Sequence, residues 1–156
     1  MIFDRTKNDV DNAISLINQK VKTFQSLTGE DVNVLERGTI TINTLNRIEN
    51  KQMEIADFFA NISINVNIEN KFWDETEIFD EKSFQRILDN LNVLKNSFCV
   101  YSNTPLVPKV SYRFQDINSI EKILFDLEEL YNKTLKSFVY CGITQCGVGL
   151  NYGVQR

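Results

Sequence analysis

The chain has 156 residues, 42% of them hydrophobic and 24% charged, with a formal net charge of −4 and no histidine. That size and balance suit one folded domain and exclude disorder of the whole chain. The acidic excess, with no basic cluster to offset it, argues against nucleic-acid phosphates as partners, and the missing histidines remove the commonest general base and the commonest metal ligand together.

The start, Met-Ile-Phe-Asp-Arg, has no basic stretch followed by an apolar core, so no signal peptide is expected. No apolar run approaches the ~20 residues of a membrane span, so no membrane insertion is expected. Thr6, followed three residues later by Asp9, resembles a capping box with Asp in place of Glu. The stripe Val10, Ala13, Ile14, Ile17, Val21, Phe24 and Leu27 then predicts a helix with one buried face, ended by Gly29. Residues 30–37 carry Val32, Val34 and Leu35 and stop at Gly38; they fit one or two helical turns, or a loop.

Thr39, Thr41 and Asn43 offer caps for a helix from about residue 42 to 61, with Leu45, Ile48, Ile55, Phe59 and Ile62 marking its buried side. Ala56 and Ala60 would let a neighbour approach closely. The period then changes. Ile62, Ile64, Val66 and Ile68 alternate with Ser63, Asn65 and Asn67, which predicts a half-buried strand unless the helix runs on for a turn. Beyond Trp73-Asp74, Asp80 is placed to cap a helix that buries Phe84, Ile87, Leu88, Leu91, Leu94 and Phe98. The two prolines, Pro105 and Pro108, mark an irregular crossing to the last helix.

That helix, residues 114–138, is the longest pattern in the chain. Ile117, Ile120, Ile123, Leu124, Leu127, Leu130, Tyr131 and Phe138 are expected to face inward. Glu121, Lys122, Asp126, Glu128, Glu129 and Lys133 are expected to face solvent, with Glu129 and Lys133 in the favourable i,i+4 order. Gly142 supplies a stop. Four of the six glycines (Gly142, Gly147, Gly149, Gly153) then crowd the tail, which reads as a hairpin, an extended arm or disorder. The expected fold is mainly α: a bundle of three to four long helices over residues 1–141, a short β segment, and a Gly-rich C-terminal hairpin or arm over residues 142–156.

No arrangement of residues announces catalysis. Asp74–Glu75 and Glu128–Glu129 are sequence neighbours that point apart on a helix, and Ser or Cys nucleophiles lack a histidine partner. Cys99, Cys141 and Cys146 fall short of the four ligands a structural zinc site needs. Free thiols in a reducing compartment, or a Cys141–Cys146 disulfide in an extracellular particle, both remain open. No metal and no cofactor are expected, and the chain is read as no enzyme. Trp73, the only tryptophan, is either a core plug or an interface anchor.

Several segments together resemble a helical module of tail proteins from phages and prophages of Gram-positive bacteria. They are Asp4-Arg5-Thr6 with Asp9-Val10; Arg37-Gly38 with Thr44-Leu45-Asn46-Arg47-Ile48-Glu49; Trp73-Asp74 and the helix over residues 84–94; Ile117-Asn118-Ser119-Ile120-Glu121-Lys122-Ile123-Leu124; and Tyr140-Cys141-Gly142 with Cys146-Gly147. Cys141 stands where the module usually has serine. The resemblance covers nearly the whole chain in order, although each piece alone is a weak motif.

It implies a non-enzymatic structural part of a phage or phage-derived, tailocin-like contractile tail, in the baseplate or fibre region. Such a part is made in the bacterial cytoplasm and then built into the virion. Its implied partners are other tail, baseplate or fibre proteins, with several copies per particle on the tail's rotational symmetry. The alternative is an assembly chaperone absent from the finished particle; an adaptor unrelated to phage is a third. On this reading Trp73, Tyr140, Cys141, Ile143, Val148, Leu150 and Tyr152 are the candidate partner-binding residues, with the segment 141–156 docking by strand addition to a partner sheet.

Overall fold

Five helices follow one another in the computed structural model, which describes residues 1–109 and 113–141. They are α1 (Lys7–Thr23), α2 (Gly29–Gly38), α3 (Ile42–Asn61), α4 (Glu81–Ser97) and α5 (Phe114–Cys141). The fold is therefore mainly α. Helices α3, α4 and α5 pack on one another in all three pairings, whereas α1 packs on α2 and neither packs substantially against the other three. The molecule is a three-helix core carrying a helical hairpin.

The core forms where three apolar stripes meet. Ile48, Ile55 and Phe59 of α3, Phe84, Ile87, Leu91 and Leu94 of α4, and Ile120, Ile123, Leu124 and Leu127 of α5 are all removed from solvent. Each such side chain is worth roughly 1.5–3 kcal/mol of transfer free energy against exposure. Thr41 caps α3 by accepting from the Thr44 N–H at 3.2 Å, and Asp80 caps α4 by accepting from the Ser83 N–H at 2.8 Å. At the other end of α3 the chain closes in a Schellman turn. The Ile64 N–H reaches Phe59 O at 2.9 Å and the Ser63 N–H reaches Ala60 O at 3.0 Å, with Ser63 left-handed at φ 64°.

That turn corrects the expected β segment. Residues 62–68 keep the two-residue alternation, with Ile62, Ile64, Val66 and Ile68 half-buried against the core and Ser63, Asn65 and Asn67 exposed. They nevertheless form no strand, and none occurs among the described residues. A strand needs a second chain segment to complete its ladder. Here Asn90 takes that role with a side chain, accepting from the Glu69 N–H at 3.1 Å and donating to Glu69 O at 2.6 Å. The expected C-terminal hairpin or arm, 142–156, lies outside the described residues.

Two further expectations change. Helix α1 ends at Thr23 rather than at Gly29, because Phe24 turns left-handed at φ 49°; Gly29 opens α2 instead. Residues 29–38 are a full helix, begun by a capping box of Thr28 and Asp31 that repeats the one formed by Thr6 and Asp9. Gly38 is where the hairpin closes. A Cβ there would overlap the Asp9 carbonyl oxygen and the Ala13 side chain, so only glycine permits this approach of α2 to α1.

Candidate functional site

Two parts of the molecule carry polar or apolar groups that the helix stripes do not explain. The first is a set of buried ion pairs. Glu121 and Asp126, expected on the solvated face of α5, are both fully buried. Glu121 accepts from Arg5 Nη1 at 2.5 Å, from Arg47 Nε at 2.9 Å and from the Ile2 N–H at 3.0 Å. Asn118 holds the same N-terminal segment by exchanging both hydrogen bonds with the Arg5 backbone, at 3.1 and 2.8 Å. Asp126 accepts from Thr104 Oγ1 at 2.6 Å and Lys122 Nζ at 2.5 Å, fixing the proline-containing crossing.

A second knot centres on Glu49 of α3, whose side chain is fully buried. It accepts from Trp73 Nε1 at 2.8 Å, the Lys71 N–H at 2.9 Å, and both Nη1 and Nη2 of Arg86 at 2.7 and 2.5 Å. Hydrogen bonding to Glu49 raises the Arg86 pKa above its ordinary value. Asn46 completes the knot, exchanging hydrogen bonds of 2.8 and 2.9 Å with the Trp73 backbone. Trp73 is 1% exposed, its edge against Phe79 and Lys71 Nζ 4.4 Å from its ring centre. Of its two readings it takes the core plug. Breaking either knot would strand a buried charge, at a cost of about 3–5 kcal/mol.

These knots can hold the chain together but are poorly arranged for chemistry. Every carboxylate oxygen of Glu49 and Glu121 is already occupied by donors from the same chain. Among the described residues no group of three His, Cys, Asp or Glu side chains converges as a metal site would require. No helix among them is long and apolar enough to cross a membrane.

The second part is the hairpin. On α1, Asp9 and Ala13 meet Gly38 and Lys20 pairs with Asp31 at 2.7 Å, and helical periodicity puts Leu16 on the same side. The apolar stripe Val10, Ile14, Ile17 and Val21 lies one residue further on, about 100° around the helix. Val10 turns into a cavity of about 300 Å³ at the root of the hairpin, shared with Arg5, Ile40 and Phe114. The rest of the stripe is uncovered: Ile14 is 51% exposed, Ile17 41%, Val21 66% and Phe24 96%. This corrects the expectation that the stripe is a buried face; of the whole run, Ala13 alone is buried.

The hairpin carries a groove on each side. On one side Ile17, Val21, Leu27 and Leu35 border an apolar groove of about 280 Å³. On the other, Asp9, Asn12, Asn33, Val34 and Arg37 border a smaller one of about 150 Å³, with Arg37 bridging Asp9 at 3.2 Å and Asp4 at 3.4 Å.

Of the remaining candidate residues, only two fall within α5. Tyr140 and Cys141 belong to its last turn, with side chains outside the described residues; Ile143, Val148, Leu150 and Tyr152 lie outside them altogether. Cys99 is an exposed free thiol. No family model, curated protein or solved structure matches the chain.

Proposed function

We propose that this chain is a non-enzymatic structural component of a phage or phage-derived contractile tail, an adaptor between proteins of the baseplate or fibre region. The observation that carries the adaptor role is the uncovered apolar face of the α1–α2 hairpin, from Ile14 to Val21 with Leu27 and Leu35. A rigid core presents that face, held by ion pairs that occupy every carboxylate oxygen of Glu49 and Glu121.

The placement in a tail rests on the resemblance. Its pieces are scattered along the sequence, yet Arg5, Arg47, Glu49, Trp73, Asn118 and Glu121 converge in the two buried knots, and Gly38 closes the hairpin. The segment 141–156 is the proposed second contact, made by strand addition.

An assembly chaperone is the second reading, favoured by the same groove: a chaperone exposes apolar surface in its free state. Quantitative mass spectrometry of purified tails, scaled against the tail-tube protein, separates the two. A fixed small multiple that matches the tail's symmetry supports the structural part. Abundance in the producing cell with absence from the particle transfers the function to the chaperone.

A further inference from the structure

We infer that the partner covering the hairpin face is a second copy of this chain, with the two α1 helices antiparallel across a two-fold axis near Ile17. The inference rests on the reading of the hairpin as a protein-contact surface and commits that surface to one occupant.

The argument starts from the charges on its rim. Asp11 and Lys22 are exposed, and neither has a partner among the described residues. They are eleven residues apart, close to three helical turns, so both stand on the same flank of the stripe, the flank away from α2. An acidic start and a basic end suit the helix dipole by themselves. The dipole does not require that both charges share one flank of an unpaired apolar face.

Antiparallel pairing does require it. When two identical helices run in opposite directions, each flank meets the same flank of its partner, with the sequence reversed. Asp11 of one copy then faces Lys22 of the other, and the exchange occurs twice. The midpoint of the two charges falls between Leu16 and Ile17, which brings Ile17 within half a residue of the axis, near its own equivalent, with Ile14 and Val21 on either side. A parallel pair would bring opposite flanks together and leave both charges unmatched.

The geometry of the hairpin fits the same partner. Helix α1 has 17 residues, about 25 Å, enough for the whole stripe to overlap its own reverse. Phe24 is held left-handed at the tip with almost its entire ring in solvent, a costly placement for an aromatic residue in a free chain. In the paired arrangement it reaches past Lys22 to lie against the partner's N-terminal turn. The result is a four-helix bundle made from two hairpins, closed by symmetry rather than open to further addition.

The test uses the full chain in sedimentation velocity across a concentration series. Wild-type protein is expected to dimerise, and Ile17→Asp to remain monomeric with its core helicity intact. Asp11→Lys and Lys22→Asp each place like charges together twice, and each is expected to weaken the dimer about tenfold. The double variant, Asp11→Lys with Lys22→Asp, restores the pairing and is expected to return to wild-type affinity. A wild-type chain that stays monomeric throughout overturns the inference, as does a dimer indifferent to Ile17→Asp. Failure of the double variant to rescue overturns the antiparallel arrangement. A monomer that still enters tails at a fixed copy number keeps the adaptor reading and gives the face to a different tail protein.

Discussion

The α3–α4–α5 core and the α1–α2 hairpin are built from helices of similar amphipathicity put to opposite uses. In the core, the apolar stripe of each helix is also its packing seam, so Ile48, Leu91 and Leu124 vanish from the surface. In the hairpin, the seam runs through Asp9, Ala13, Leu16 and Lys20, and the stripe stands one residue away from it. The hairpin is held instead by two capping boxes, the Gly38 approach and the Lys20–Asp31 pair. Local chemistry fixes its shape and leaves its hydrophobic surface unspent. A helix pair stabilised in that way should be the less protected part of the molecule.

The contrast can be broken at several points. The largest effect is expected from Glu49→Ala, which leaves Arg86, Trp73 Nε1 and the Lys71 N–H without their shared acceptor. It should lower global stability by about 3–5 kcal/mol, read from the urea midpoint. A loss confined to the hairpin would contradict the division of labour.

Gly38→Ala should cost about 1–3 kcal/mol through overpacking against α1. Here hydrogen exchange is the informative measurement: α1 and α2 amides should lose protection while those of α4 keep theirs. Equal loss in both would mean that the hairpin and core unfold as one unit.

The smallest effect concerns acid. The Lys20 ammonium beside Asp31, with help from Thr28, holds the Asp31 carboxyl at about 2 against an ordinary 3.8. A depressed folded pKa contributes stability that is complete above pH 3.8 and is lost as pH falls through about 2. The stability gap between wild type and Asp31→Asn should therefore close over that window, followed by helical ellipticity at each pH. A gap that persists unchanged at the acid end would remove Asp31 from the account of the hairpin.

Much of the fold could be read from local pattern. Residues 42–61 and the cap at Asp80 follow from hydroxyl or carboxylate caps placed directly before apolar stripes, and α5 follows from an unbroken spacing of three and four. What was not legible depends on distance along the chain. Glu121 looks solvated because its helical neighbours give no hint of Arg5 and Arg47, which complete its shell from 116 and 74 residues away. The alternation at 62–68 correctly identifies which side chains turn inward, but a ladder is a property of two segments, and periodicity sees one. In α1 the stripe was plain, but it held only Ala13 of the residues that meet α2; Asp9 and Lys20 are ones that no hydrophobicity pattern selects. The repeated Thr-to-Asp box at residues 6 and 28 was the available signal for a second full helix.

The Arg5–Glu121 bond also bears on the order in which the chain is made. The hairpin leaves the ribosome before α5 and can close on its own caps, but the strap that orients it must wait for α5. Until then the apolar face of α1 has no fixed direction relative to anything else. Arg5 thus acts as a completion check: a prematurely ended chain lacking α5 would carry a hairpin that cannot be aimed, and neither a second copy nor a tail would meet it in the right pose.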